Sequence, residues 1–398
     1  MAKGLIGALL AAGLLTSPSG PALAQTSHDG LIFDVPGFDR SHPATLGLPF
    51  APEADHFTVY APMSDADYAY NHGAVLTWFQ GRYYMQWQSS FRDEDAAETR
   101  VMYAVSSDAE TWSEPRILAS PADGLTITNG GWVTDGETLI AYINVWPDVD
   151  DGDLKYGFAQ YVASTDGLSW SAPERVLMAD GSPVSGIIEQ DTRALPGGRL
   201  LTAFHVEPGL IAKPYITDDP LGMTGWVEGE FHNLESEGPT SRELEPSWFV
   251  NANGNPVMVF RDQGGSFKTI ASESRDKGLT WSAPVLSDFP DSRSKQSAGN
   301  LGDGTVFRVN NPRRDRERYP LVLSLSEDGQ VFDRAYVVRS GLTDLPAMQH
   351  DGRYKRIGYS YPKSFVHNGF LYIAYATNKE RIELTRIPVS SLSVGLPD

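Results

Sequence analysis

Cysteine is absent from this 398-residue sequence, and basic residues are scarce. Without cysteine the chain can form no disulfide, thiolate metal site or cysteine nucleophile, so its stability must come from packing. Its 32 lysines and arginines are outnumbered by 51 aspartates and glutamates, which gives a formal net charge of -19 at pH 7. Such a surface repels nucleic acid, anionic membranes and acidic polysaccharides, so an anionic ligand would need a local basic pocket.

Long apolar runs are also missing, except at the N-terminus. There, residues 5–15 follow Lys3 and precede the small-residue sequence Ala22-Leu23-Ala24. This arrangement predicts a secretory signal peptide over residues 1–24 and a mature chain from Gln25. No later run approaches the length of a membrane span. We therefore expect a secreted or periplasmic monomer whose partners include neither nucleic acid nor a membrane.

A short motif of the form Ser-x-Asp-x-Gly-x-Thr-Trp, the Asp box, recurs five times at nearly even spacing, twice in decayed form. Its aspartates are Asp108, Asp166, Asp219, Asp276 and Asp328. Repeats of about this period are typical of β-propeller blades. The motif builds a hairpin between outer strands and its tryptophan packs between blades, so we assign the Asp boxes a structural role.

A second marker, a glycine in a predicted hairpin turn, occurs in six repeats. These glycines are Gly81, Gly136, Gly198, Gly254, Gly304 and Gly369. The pattern predicts an all-β fold, a single β-propeller over residues 25–398. Six blades are visible, and seven are possible if residues 30–60 hold an atypical one. The last repeat supplies only three strands, so we expect residues 56–61 to complete it and close the ring.

The turn glycines also predict which residues face the mouth of the central funnel. The innermost strand of a blade begins at that face, and the second strand returns to it. Counting nine residues back from each glycine gives His72, Ile127, Glu189, Glu245, Lys295 and Ser360. Counting seven forward gives Gln88, Ile143, His205, Arg261, Asn311 and Ala376. A strand-capping role is the alternative for each residue; for His72, Arg261 and the pair of tyrosines around Ser360 we favour ligand binding.

Several segments resemble a known group of enzymes. Residues 70–87, which include Asn71-His72, and the following residues 93–95 are similar to the first blade of propeller-type ulvan lyases and related rhamnose-glucuronate-cleaving enzymes. Residues 261–263, 294–301 and 359–388 resemble the wider sialidase-like superfamily of Asp-box, or BNR-repeat, proteins. The resemblance implies a carbohydrate-active enzyme whose substrate is an acidic polysaccharide or oligosaccharide.

The resemblance also implies roles for individual residues. In those lyases a histidine that opens an inner strand works with a tyrosine or a second histidine, and arginines bind the uronate carboxylate. His72 matches the first histidine by motif, whereas Arg92 stands where the second is expected. The tyrosine and arginine of the second blade have no evident match, since the chain reads Tyr142 to Trp146 and then Lys155-Tyr156.

The predicted chemistry is β-elimination, which requires a neutralised carboxylate, a base and an acid for the leaving oxygen. His72 is the expected base or acid, because imidazole titrates near neutral pH, with Tyr361 or Tyr359 as its counterpart. The expected substrate-binding residues are Asn71, Arg92, His205, Glu245, Arg261, Lys295 and Arg356. No cofactor is expected. The histidines show no spacing typical of metal ligands, but a structural metal site built across several blades would show none either, so that question stays open.

The main hypothesis is therefore a polysaccharide lyase that cleaves an ulvan-like, rhamnose- and glucuronate-containing polymer. A glycoside hydrolase is the alternative: a rhamnosidase-like enzyme that acts through His72 or, ranked below it, a sialidase. Sialidases use a tyrosine nucleophile. Tyr361 or Tyr359 with Glu245, Arg261 and Arg356 matches part of their site, but an early Arg-Ile-Pro motif is missing.

The remaining alternative is a non-catalytic glycan-binding propeller. In such a protein Trp132, Trp146 or Trp248 would stack on sugar rings, although packing between blades explains most of the tryptophans.

Overall fold

The computed structural model describes residues 37–64, 66–147, 156–342 and 344–392. The expected signal peptide and the predicted domain start at Gln25 lie outside these residues. The described chain forms six antiparallel sheets, which are the blades of a propeller. The predicted all-β propeller is thus confirmed. No helix in the described ranges is long and apolar enough to cross a membrane.

The first three blades follow one another along the chain. Blade 1 contains β2 (Tyr70–Phe79), β3 (Arg82–Ser90), β4 (Arg100–Ser106) and β5 (Arg116–Ala119). Blade 2 contains β6 (Leu125–Thr134), β7 (Leu139–Pro147), β8 (Phe158–Ser164) and β9 (Glu174–Arg175). Blade 3 contains β10 (Gly186–Ile188), β11 (Arg193–Ala194), β12 (Leu200–Val206), β13 (Ile211–Thr217) and β14 (Val227–Glu228).

The last three blades include the ring closure. Blade 4 contains β15 (Glu243–Val250), β16 (Pro256–Asp262), β17 (Lys268–Glu273) and β18 (Val285–Pro290). Blade 5 contains β19 (Ser297–Asn300), β20 (Val306–Asn310), β21 (Leu321–Ser326) and β22 (Phe332–Arg339). Blade 6 contains β1 (Asp55–Tyr60), β23 (Tyr359–His367), β24 (Phe370–Thr377) and β25 (Arg381–Pro388), and the short helix α1 (Val389–Leu392) follows it.

The N-terminal strand β1 supplies the outer strand of the last blade. It pairs antiparallel with β25, with Asp55 opposite Arg386 and Tyr60 opposite Ile382. Residues 37–54 form turns and one isolated bridge, from Phe50 to Val337 in β22. The described part of residues 30–60 therefore adds no seventh blade.

The hydrophobic core is divided among the blade interfaces. Leu76 and Met85 of blade 1, for example, pack in one cluster with Tyr372 and Ala374 of blade 6. Because neighbouring blades cover both faces of each sheet, inner strands such as β2 are almost entirely buried instead of alternating between buried and exposed residues. Some outermost strands are short and exposed, as β14 is, whereas β22 of blade 5 is longer and mostly buried.

The Asp boxes hold the outer hairpins, as expected from their composition. In blade 2, Asp166 Oδ1 accepts hydrogen bonds from the backbone N–H groups of Leu168 and Ser169. Trp170 packs against Trp132, with ring centroids 5.9 Å apart. The box glycine, Gly167, has a positive φ and lies so close to Tyr84 that a Cβ atom would be 2.1 Å from its hydroxyl oxygen.

Four inner strands carry a β-bulge at corresponding positions near the funnel mouth. The register shifts lie between His72 and Val75, Asn129 and Gly131, Leu244 and Ser247, and Ser360 and Lys363. A bulge bends its strand and turns a side chain in a new direction. In blades 4 and 6 the bulges contain Glu245 and Tyr361, with φ of 49° and 55°.

Candidate active site

A cavity of about 710 Å³ lies on the propeller axis. Each blade contributes to its lining through one of His72, Asn144, Glu189, Glu245, Lys295 and Tyr361. Only the central funnel of a propeller meets all of its blades, so this cavity is the predicted ligand-binding mouth. A second cavity of about 140 Å³ is lined by Arg261, Ser292, Arg293, Arg316, Arg318 and Arg356.

Tyr361, Glu245 and Arg261 form a hydrogen-bonded triad between the two cavities. The Tyr361 hydroxyl donates a short hydrogen bond to Glu245 Oε1. Arg261 Nη1 donates to Glu245 Oε2 at 2.7 Å and to the Tyr361 hydroxyl oxygen at 3.2 Å. Arg261 Nη2 is held in turn by Gln263 Oε1 at 2.8 Å. The three side chains come from different strands, β15, β16 and β23, in blades 4 and 6.

Backbone strain accompanies this triad. Glu245 and Tyr361 adopt positive φ values, which cost a non-glycine residue about 1–3 kcal/mol each and persist where the surrounding structure enforces them. In both cases the bulge described above turns the side chain into the funnel. The strain at these two residues lowers the stability of the fold, and it accompanies the conformation that brings the phenol and the carboxylate together.

The triad combines a neutral phenol with an ionised carboxylate. Burial, together with the nearby Glu245, raises the pKa of Tyr361, so the phenol keeps its proton at neutral pH. Burial alone would raise the pKa of Glu245, but Arg261 and Lys295 outweigh it and leave that pKa below its ordinary value. The Tyr361 hydroxyl is therefore hydrogen-bonded to an ionised carboxylate, and in the resting protein the proton stays on the phenol.

Four cations surround the Tyr361 ring. Arg261 contacts its hydroxyl, while the Arg318 guanidinium carbon and Lys295 Nζ lie 5.2 Å and 5.3 Å from the ring centroid. Lys379 Nζ lies 6.0 Å from the centroid and forms a short ion pair with Glu94. These charges stabilise negative charge on the phenol oxygen and attract an anionic group on a ligand.

His72 faces the same ring. Its imidazole centroid lies 4.1 Å from that of Tyr361, and the residue is 1% exposed. Within the described ranges neither ring nitrogen has a hydrogen-bond partner. Burial, followed by repulsion from Lys379 and Arg318, holds the pKa of His72 well below its ordinary value. The imidazole is thus neutral at pH 7, and the residue lines the larger cavity with both ring nitrogens buried.

A buried network supports the carboxylate of the triad. Lys295 Nζ contacts Glu189 Oε2 at 2.8 Å, and His205 Nδ1 lies 3.2 Å from Glu189 Oε1. His205 Nε2 accepts a hydrogen bond from the backbone N–H of Glu245 at 3.3 Å. His205 therefore fixes the strained backbone at Glu245 while its ring lines the larger cavity.

The structure brings most of the predicted site residues together. His72, His205, Glu245, Lys295 and Tyr361 line the larger cavity. Arg261 and Arg356 line the smaller one. Of the three tryptophans considered for sugar stacking, Trp146 lines the larger cavity, whereas Trp132 and Trp248 are buried.

Three expectations need correction, since Tyr359, Asn71 and Arg92 line neither cavity. Tyr359 is fully buried between blades 5 and 6 and donates to the Ser340 carbonyl at 3.0 Å, because the bulge turns only Tyr361 into the funnel. Asn71 is also fully buried and accepts a hydrogen bond from Trp87 Nε1.

Arg92 is exposed and lies in the loop that follows β3. Its guanidinium is 3.8 Å from the exposed Asp351. In blade 2, Tyr142 is fully buried and donates to the Gly222 carbonyl at 3.0 Å, so it offers no catalytic phenol. Lys155 lies outside the described residues.

The sequence patterns did not predict three further residues of the candidate site. Arg318, Lys379 and Asp95 lie outside the inner strand pairs that the turn glycines mark. A signal for Arg318 was nevertheless present, because residues 313–318 contain four arginines in a strongly acidic chain. Lys379 lies in the turn between β24 and β25, and Asp95 lies in the loop after β3 and lines the larger cavity.

Across the residues that the structure describes, no group of three or more histidine, aspartate or glutamate side chains is arranged to hold a metal ion. Glu189, Glu245 and Lys295 of the funnel contact other side chains in the networks described above.

The six antiparallel sheets around one axial cavity define the class: a six-bladed β-propeller with Asp boxes. More particularly, the chain belongs to the BNR repeat-like domain family, whose sequence profile matches residues 81–373. A search of curated proteins found no match.

Solved structures share the fold. A protein of unknown function from Dyadobacter fermentans is 17% identical, with a TM-score of 0.63 over 84% of this chain and 99% of that one. The Hadza microbial sialidase Hz136 is 14% identical, with a TM-score of 0.66 over 84% of this chain and 69% of that one. The intramolecular trans-sialidase from Ruminococcus gnavus is 12% identical, with a TM-score of 0.63 over 85% and 99%. Identities this low show a common fold alone.

Proposed function

We propose that this protein is a retaining glycoside hydrolase that acts on an anionic sugar, with Tyr361 as nucleophile and Glu245 as its general base. The triad of Tyr361, Glu245 and Arg261 carries the proposal. A tyrosine nucleophile is the arrangement that sialidases use in place of two carboxylates. The solved sialidases and trans-sialidase of the same fold support a glycoside-bond-cleaving reaction.

A neutral nucleophile suits an anionic substrate. A carboxylate nucleophile would repel a carboxylate attached near the anomeric carbon, whereas the protonated phenol of Tyr361 does not. Arg261 and Arg318 border the phenol and supply positive charge for the substrate carboxylate. As the reaction proceeds, the same cations stabilise charge that develops on the phenol oxygen.

In the first step the Tyr361 oxygen forms a bond with the anomeric carbon while the glycosidic carbon–oxygen bond breaks. The Tyr361 proton passes to Glu245, and Asp95 donates a proton to the leaving oxygen. In the second step water attacks the anomeric carbon and gives a proton to Asp95, and the bond to Tyr361 breaks. Glu245 then returns its proton to the phenolate, which restores the enzyme.

A polysaccharide lyase is the second candidate, because His72 packs against Tyr361 and has unpartnered ring nitrogens among the described residues. In that reaction one of these two side chains would remove the proton next to a uronate carboxylate, and the other would protonate the leaving oxygen. We rank it second because the Tyr361 hydroxyl is directed at Glu245 and not at His72.

A substrate panel separates the candidates. Purified protein is incubated with fluorogenic aryl sialosides and glucuronides, with ulvan and with other acidic polysaccharides, and the products are analysed. A hydrolase releases aglycone or reducing sugar without unsaturated-uronate absorbance, a lyase produces that absorbance, and a binding module yields neither. Tyr361→Phe should abolish hydrolysis. Tyr161→Phe, which removes a phenol on outer strand β8, is the matched control.

We further propose that the protein is exported as a monomer after cleavage before Gln25. N-terminal sequencing of protein recovered from the periplasm or medium of an expressing bacterium tests the cleavage, and light scattering tests the monomer. An uncleaved intracellular product would contradict the export proposal.

A further inference from the structure

The smaller cavity is lined by five arginines and one serine. Of the described residues that line it, none is a carboxylate. Two of the arginines already have partners in the catalytic triad or beside it. Arg261 bonds Glu245 and Gln263, and Arg318 donates to Ser360 Oγ at 2.8 Å.

The other three arginines, Arg293, Arg316 and Arg356, form what we call the arginine pocket. They form no ion pair within the described ranges, and Arg293 Nε is buried there without a hydrogen-bond partner. Burial, followed by repulsion from Arg261 and Arg316, lowers the pKa of Arg293. Arg316 and Arg356 are exposed and Arg293 is partly buried. Like charges gathered at one small cavity repel one another, and an anion between them relieves that repulsion. The rest of the protein is strongly acidic, so this concentration of positive charge is local.

We propose that the arginine pocket binds a multiply charged oxyanion, a sulfate or phosphate group. Arg261 and Arg318 beside Tyr361 suffice to bind a single carboxylate, which leaves three further arginines that form no ion pair among the described residues. Guanidinium groups match tetrahedral oxyanions through paired hydrogen bonds.

The oxyanion has two possible sources with the same chemistry. It is either a second anionic substituent of the sugar substrate or a free inorganic ion. Arg261 lines the small cavity and also donates a hydrogen bond to Tyr361 in the triad. The substituents of a sugar bound at Tyr361 are therefore within reach of the arginine pocket. The first source rests on the proposed hydrolase function, whereas binding of an inorganic ion does not.

Calorimetric titration with inorganic sulfate and phosphate, at low and constant ionic strength, tests the pocket without any turnover. Wild-type protein should bind both ions in preference to nitrate. The double variant Arg293→Gln, Arg316→Gln should bind them more weakly, by roughly tenfold for each arginine. The matched control is Arg314→Gln, an exposed arginine of the same segment that does not line the cavity. Thermal unfolding verifies that each variant is folded.

Absence of sulfate and phosphate binding in the wild type would overturn the proposal, as would equal weakening in Arg314→Gln or equal binding of nitrate. A second arm identifies the source with sulfated and desulfated forms of one acidic oligosaccharide. If the group belongs to the substrate, inorganic sulfate competes with the sulfated form, and the double variant loses the preference for it. If the ion is free, sulfate and saccharide bind together. Either result leaves the site assignment intact even if no hydrolysis is found.

Discussion

The phenol of Tyr361 in blade 6 donates a hydrogen bond to the carboxylate of Glu245 in blade 4, across the propeller axis. Both residues lie in β-bulges and adopt positive φ. Strain of this kind is characteristic of sites where geometry has been favoured over stability. The two bulges thus bring a phenol and a carboxylate into contact among four cations of an acidic protein.

Replacing Glu245 should damage both catalysis and stability. In Glu245→Gln the base is lost, so turnover should fall by roughly two to four orders of magnitude. Arg261 also loses its charged partner in a largely buried site, at a cost of about 1.5–3 kcal/mol. Steady-state kinetics and thermal unfolding measure the two effects. An active, fully stable variant would remove Glu245 from the proposed mechanism.

His72→Ala distinguishes the two candidate reactions. In the hydrolase, His72 borders the substrate but transfers no proton, so turnover should change by less than roughly tenfold. In the lyase, the loss of a proton-transfer group should cost roughly two to four orders of magnitude. Turnover on the substrate identified by the panel is the measurement, and a large loss would favour the lyase.

Substrate binding should weaken at alkaline pH. Burial lowers the pKa of Lys379 to about 8, despite the opposing effect of Glu94. Lys379 is protonated below that pH and neutral above it, so the cationic surroundings of Tyr361 lose a charge as pH rises through 8. KM for an anionic substrate should then increase. Arginine stays charged in this pH range, so the Lys379→Arg variant should show no increase in KM as pH rises through 8. The surface control Lys268→Arg should show the same increase as the wild type. An unchanged profile in Lys379→Arg would contradict the assignment.

The Asp boxes should affect stability without affecting turnover. Backbone N–H groups of Ser169 and Leu168 lower the pKa of Asp166, which stabilises the ionised form in the folded protein. This contribution is present above the ordinary aspartate pKa of 3.8 and is lost as pH falls through the lower folded value. Asp166→Ala should lower Tm at neutral pH, with a smaller difference from wild type in strong acid, and leave kcat unchanged. A loss of kcat in the folded variant would contradict a purely structural role.

Sequence patterns predicted the propeller fold and some, but not all, of the residues of the candidate site. Turn glycines and Asp boxes recur because every blade needs the same hairpins, so counting from them located Glu245, Lys295 and His205. The same count does not distinguish Tyr359 from Tyr361, since no glycine marks the bulge between Ser360 and Lys363. Arg318 and Lys379 lie in connections whose path depends on packing between blades, which no local pattern encodes.

The most direct test of the account is covalent trapping of the nucleophile. Protein is incubated with a fluorinated glycosyl fluoride of the sugar that the panel shows to be released, and its peptides are mapped by mass spectrometry. We predict a glycosyl adduct on Tyr361 that is absent from Tyr361→Phe, together with products that retain the anomeric configuration. An adduct on another residue, full turnover by Tyr361→Phe, or an unsaturated uronate as the product would contradict the assignment of Tyr361 as the nucleophile of a retaining hydrolase.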